Sequence, residues 1–231
     1  MKKMQKSIFR KIALACMVLF FGTQVFAQGR IELNPSSKGV QISESSFSGF
    51  NSTFSFSSLE SNNVMTEAGE FSVITIAKTV NGGELGGPAL PIARELVAVP
   101  FGATPVVKVV NYSTTDYKLS DYGIGRVYPQ QPSYSKDTKF EDMVFHYNEK
   151  EYQSRAFATA PEVSFKVMGT MRGVQLGALQ VEPVSYDAAS NTIRVFNDIQ
   201  LEVVFENADI ALTEETLIKT IDIDSERNIK L

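Results

Sequence analysis

The sequence predicts an all-β protein, a sandwich or barrel carrying one long central loop. Short runs rich in Val, Ile, Thr, Phe and Tyr recur along it, separated by turn residues roughly every 8–12 positions, as in sandwiches and barrels. No long helical period interrupts them. Residues 121–142, DYGIGRVYPQQPSYSKDTKFED, show neither period and hold two Gly and two Pro. Irregular loops beyond about 12–15 residues are uncommon in compact domains and are usually functional or disordered. The rest of the chain therefore reads as a scaffold for this loop.

Residues 1–27 read as a secretory signal. MKKMQKSIFRK is basic, and IALACMVLFF is an apolar core too short to span a bilayer with ease. Val25-Phe26-Ala27 before Gln28 fits the small-x-Ala cleavage pattern, placing the cut between Ala27 and Gln28. A membrane anchor or lipoprotein fits less well. No second apolar run follows, and Cys16 sits inside the apolar core instead of at its end. The expected location is secreted or periplasmic, with no membrane association after signal removal.

Of 22 basic residues, five lie in the first eleven positions; without them, 17 basic face 26 acidic residues, a formal charge of −9. That balance argues against nucleic acid, whose affinity comes from Lys and Arg on phosphates. Cys16 is the only cysteine, so a processed chain has no disulfide, zinc-thiolate site or cysteine nucleophile.

Beyond the signal, residues 28–46 read as a short polar arm. FNSTFSFSSL puts Phe54 and Phe56 two apart on one strand face. EFSVITIAK is the clearest strand. NGGELGGPALPIAR breaks regularity, and ELVAV and TPVVKVVNYS follow as strands around a turn at Pro100-Phe101-Gly102. After the loop, MVFHYN is a short apolar run, and SFKVMGTMRGVQLGALQVEPVSYD reads as two or three strands. Gly169, Gly173 and Gly177, spaced by four, mark bulges or close backbone approaches rather than a membrane helix contact. SYDAASNTIRVF signals a hairpin, and IQLEVVFEN closes the set with Ile199, Leu201 and Val203 on one face. Residues 210–231 read as a charged tail with a marginal helix at 213–220 capped by Thr213.

Candidate chemistry is sparse. His146 is the only histidine, which disfavours metal ligation by imidazole and a Ser–His–Asp arrangement; it reads as a partly buried structural residue. Asp116, Asp121, Asp137 and Asp142 lack the spacing of a calcium loop. No cofactor is expected. Lys136, in PSYSKD, is a long cation on a segment able to run extended, the form that a peptidase with an acidic specificity pocket accepts. On composition alone, a solvated loop lysine is the simpler reading.

Three stretches shift that balance: GGPALP at 86–91, LVAVPFGATPVV at 96–107, and MGTMRGV at 168–174 with PVSYD at 183–187. Together they resemble the N-terminal prodomain of the gingipains, cysteine endopeptidases cutting after Arg or Lys, and most closely that of the lysine-specific member. The likeness covers residues 47–209. It implies a β-sandwich prodomain that keeps a peptidase latent and assists its folding. It also implies that a basic loop residue fills the primary specificity pocket. Matching the QPSYSK run places that role on Lys136, with Tyr134, Ser135 and Asp137 lining the same cleft.

The family's peptidase domain is not recognisable in the sequence, nor is the prodomain's activation junction after Asp209. The expectation is therefore a non-enzymatic partner of a gingipain-like cysteine peptidase, either a free-standing inhibitor or a truncated zymogen remnant. The rival is a secreted adhesion or glycan-binding sandwich, suggested by the export signal, the acidic surface and the Ser/Thr/Asn-rich strands. The absence of Trp weighs against aromatic glycan platforms.

Overall fold

Twelve strands and one α-helix follow one another along the described residues, 29–153 and 157–228, of a computed structural model. The expected signal segment, with Cys16 and the expected cleavage pair Ala27 and Gln28, lies outside the described residues.

The segment expected to be a polar arm supplies β1 (Arg30–Glu32) and β2 (Val40–Ser46). Ile31, fully buried, docks the first of these against the core. The Phe-rich run splits into β3 (Gly49–Phe54) and β4 (Ser58–Thr66), which join different sheets. Phe54 and Phe56 are both buried, as their spacing predicts, but Phe56 lies in the link between the strands. β5 (Gly69–Ile76) is the clear strand of the sequence and buries Phe71, Ser72, Ile74 and Ile76. β6 (Thr79–Gly82) runs into the Gly/Pro break, and β7 (Leu90–Ala98) leaves it. β8 (Thr104–Lys118) follows the Pro100-Phe101-Gly102 turn and enters a different sheet from β7.

β9 (Glu162–Met171) and β10 (Val174–Glu182) form a hairpin. Arg172 and Gly173, at φ 49° and 75°, make its two-residue turn; positive φ at both positions matches the right-handed twist of the strands. The register shifts between Leu176 and Gly177, so the spaced glycines mark a turn and a bulge. β11 (Val184–Asp187) and β12 (Thr192–Glu206) are the hairpin that the turn residues signal.

β12 is the axis of the fold. β8 pairs along its whole length, from Thr192↔Lys118 to Glu206↔Thr104. Its other edge takes β11 at the start and β3 at the end, with β2 beyond β3. Asn197-Asp198 reads as a break in sequence, yet the strand continues: Asp198 adopts φ 50° and the register shifts around Gln200. The Asn197 carboxamide bonds both Phe56 N–H and C=O, at 2.8 and 2.9 Å, supplying partners to backbone that no strand pairs. The remaining sheets are β6-β7-β10-β9 and β1-β4-β5, all antiparallel. Phe54, Phe71, Leu179, Phe196 and Leu201 belong to one core fed by all three sheets, the all-β sandwich the sequence predicts.

The tail departs from expectation. Helix α1 (Ile210–Asn228) begins before residue 213, and Asp209 caps it, with its Oδ1 accepting the Leu212 N–H at 2.9 Å. Thr213 is buried instead. Its hydroxyl donates to Asp209 O and accepts the Phe101 N–H, fastening the helix to the β7–β8 turn.

Candidate functional site

Between β8 and β9, from residue 119 to 161, no strand occurs among the described residues. The irregular segment exceeds the 121–142 read from sequence, because the apolar run at 143–148 packs by its side chains without joining a sheet.

Its root is locked to the scaffold. Ser72, fully buried on β5, accepts the Gly125 N–H on its hydroxyl and the Tyr128 N–H on its carbonyl, and donates its own N–H to Arg126 O. Val127 is gripped by two buried tyrosines: Tyr152 donates to its carbonyl at 2.7 Å, and the Tyr186 hydroxyl accepts its N–H at 3.5 Å. Burial pushes the Tyr186 phenol up to about 12 and also raises that of Tyr152, so both stay neutral and serve as clamps rather than as acids. The Gly/Pro break closes the other side. Gly86 donates to Gln130 O and accepts from Asn148 N, Gln130 donates to Gly87 O, and Ala89 donates to Tyr128 O. Gly86 sits at φ 79°, and a Cβ there would come within 3.0 Å of Asn148 N, so only glycine meets both demands. Phe71 carries the rings of Tyr128, Phe145, Tyr147 and Tyr152 around it.

Above this root the loop doubles back as a neck held by side chains. The Gln131 carboxamide donates to His146 O at 2.8 Å and accepts the His146 N–H at 2.9 Å. The Tyr134 hydroxyl donates to Val144 O and accepts the Val144 N–H, both at 2.9 Å. Each side chain gives the facing backbone what a paired strand would give. His146 is half-buried, and its Nδ1–H donates to Val144 O at 2.8 Å, which makes it structural.

The apex consists of two tight turns, closed by Thr138 N–H to Ser135 O and by Asp142 N–H to Lys139 O. Lys136 and Asp137 are the two central residues of the first turn and both are exposed. Ser135 supplies the carbonyl that closes the turn, and Tyr134 is the upper rung of the neck. The structure thus places Tyr134, Ser135, Lys136 and Asp137 together at one exposed turn. The salt bridges among the described residues lie elsewhere and leave the Lys136 ammonium to solvent. Among the described residues no cluster of His, Asp and Glu has the makings of a metal site.

The fold has counterparts among known proteins. The family model Propeptide_C25 matches residues 28–227. The chain belongs to that family. The match takes in the polar arm and most of α1, beyond the 47–209 read from sequence. What is matched over these residues is a propeptide and not a catalytic peptidase domain.

Lys-gingipain HG66 of Porphyromonas gingivalis is 36% identical to this Propeptide_C25 chain over 206 residues. Lys-gingipain W83 of the same species is equally similar. The chain spans 12% of the length of these curated relatives, and 89% of it takes part in the match. A solved structure on the zymogenic latency of gingipain K from P. gingivalis superposes with a TM-score of 0.73 at 37% identity, covering 78% of this chain and 100% of that one. A chain from the complex of P. gingivalis RgpB pro- and mature domains gives a TM-score of 0.60 at 21% identity, covering 74% and 86%; at that identity the likeness concerns the fold alone.

Reading the sequence missed the neck of this propeptide. Gln131 and His146 lie fifteen positions apart with no shared pattern, so no local signal points to their pairing.

Proposed function

We propose that this propeptide binds a gingipain-like cysteine endopeptidase and holds it inactive by placing Lys136 in the primary specificity pocket. The observation that carries this reading is the position of Lys136, a solvent-facing cation in an exposed turn of the long loop on a gingipain-type propeptide fold. An exposed ammonium suits a recessed acidic pocket, and the segment before it, at 132–135, belongs to no strand of the fold and is free to offer its backbone to the enzyme in strand-type hydrogen bonds. Ser135 and Asp137 then meet the walls of the cleft. Assistance to the folding of the same peptidase is a second part of the role. The basic, apolar and small-x-Ala order of residues 1–27 supports export, with cleavage between Ala27 and Gln28.

The test is inhibition of Lys- and Arg-specific cysteine endopeptidases by residues 28–231, with and without Lys136→Ala. Breaking a desolvated charge pair typically costs about 2–5 kcal/mol, roughly 30- to 4,000-fold in affinity. A loss of at least tenfold is expected for Lys136→Ala. An unchanged inhibition constant removes Lys136 from the mechanism.

A further inference from the structure

We propose that Gln131 and Tyr134 are positioning residues that keep the Lys136 loop an inhibitor rather than a substrate. This inference rests on the proposed role of Lys136. A lysine offered to a Lys-specific peptidase invites hydrolysis of the Lys136–Asp137 bond. That reaction consumes one water and yields a Lys136 carboxylate and an Asp137 amine. It needs the carbonyl and the attacking nucleophile in near-attack geometry, which a bond inside a closed turn does not readily reach.

The Lys136–Asp137 bond lies inside such a turn, closed by Thr138 N–H to Ser135 O at 3.0 Å. That turn is an exposed tip with few other supports. What holds its two legs together is the pair of side-chain rungs, Gln131 to His146 and Tyr134 to Val144. The legs exchange no backbone–backbone hydrogen bond between 131–134 and 143–146 among the described residues, so long side chains bridge the gap. Each rung is two-pointed. A carboxamide carries donor and acceptor side by side, and a phenol hydroxyl donates once while accepting on its lone pairs. The Gln130 amide, bonded to Gln131 O at 2.7 Å, and the His146 ring, bonded to Val144 O, stiffen the backbone at the rungs. A loop fixed before binding loses little freedom when it docks. After any cleavage, a neck held on both sides of the cut keeps the new ends together.

The experiment compares the parent propeptide with Tyr134→Phe, Gln131→Ala, the double variant and Lys136→Ala. Hydrogen exchange at the Val144 and His146 amides of the free chain reads the rungs without any peptidase. Inhibition constants and the rate of cleavage after Lys136, followed by mass spectrometry with a Lys-specific cysteine endopeptidase, read their consequence. Tyr134→Phe keeps the ring and removes both hydrogen bonds. Faster exchange at Val144 is expected, with cleavage after Lys136 accelerated at least about tenfold in the double variant and an unchanged melting temperature. Faster exchange with parental cleavage and inhibition overturns the proposal, as does parental exchange in the double variant. If Lys136→Ala inhibits as well as the parent, the pocket reading falls and this inference falls with it. If Lys136→Ala weakens inhibition while both rung variants behave as the parent, only the rungs are overturned.

Discussion

The guanidinium of Arg126 lies 4.9 Å from the centre of the Phe71 ring, and its Nη1–H donates to the Tyr147 hydroxyl at 3.1 Å. One cation thus joins the β5 core to both ends of the loop, since Arg126 leads into the neck and Tyr147 leads out of it. Beneath it, Ser72 and Val127 form a parallel bridge and Pro88 and Pro129 an antiparallel one. These contacts give the loop a built base.

Phe71 bears most of the packing in that base. It is fully buried and contacts four other rings. Phe71→Ala is expected to cost about 3–5 kcal/mol, the range for deleting a buried ring. Arg126→Ala is expected to cost about 0.5–1 kcal/mol, as for an exposed cation–π contact. Urea unfolding of both variants measures the difference. A Phe71→Ala loss no larger than that of Arg126→Ala would remove the ring from the centre of the base.

Glu182 sets a pH dependence. It faces Glu162 across the β10–β9 pair. Burial raises its carboxyl pKa first and the Glu162 charge second, with a Gln180 hydrogen bond opposing them in part. A raised folded-state pKa means the folded chain prefers the protonated acid. The associated stability is full below the ordinary Glu value near ~4.3 and is lost as pH rises through the raised one. Glu182→Gln should therefore stabilise the protein at pH 7, by no more than about 0.5 kcal/mol because the site stays partly solvated. The advantage should vanish near pH 4. Thermal unfolding at the two pH values checks this; a variant that gains at pH 4 and not at pH 7 contradicts it.

Strand alternation was legible in the sequence because side-chain period depends only on local backbone. Ile199, Leu201 and Val203 are all buried, as their spacing demands. Partner choice was not legible. Phe54 and Phe56 look like one strand but straddle a change of sheet, and period 2 reports a face, not a neighbour. The same limit hides both places where a carboxamide stands in for a strand. Asn197 serves Phe56 from 141 positions away, and Gln131 serves His146 from fifteen. Asn197-Asp198, which separates the runs ending at Phe196 and beginning at Ile199, is likewise a bulge within a 15-residue strand. Of the tip residues, Lys136 was found through the family resemblance, while the rungs that hold it appear only in three dimensions.

Lys136→Arg tests what the tip reads. Lysine presents a compact ammonium on a flexible stem, whereas arginine presents a broad planar fork of five N–H donors. A pocket shaped for one is a poor host for the other, although both carry the same charge. The substitution leaves the neck untouched, since Gln131, Tyr134 and the Ser135 carbonyl make the loop's bonds without the Lys136 side chain. Any change in inhibition therefore reports the pocket rather than the loop. The ratio of inhibition constants against an Arg-specific and a Lys-specific cysteine endopeptidase should move toward the Arg-specific enzyme by about tenfold or more, one step of roughly 1.4 kcal/mol. A ratio that stays put while Lys136→Ala weakens both would mean that the pocket senses charge alone, and specificity would then have to come from the residues flanking Lys136.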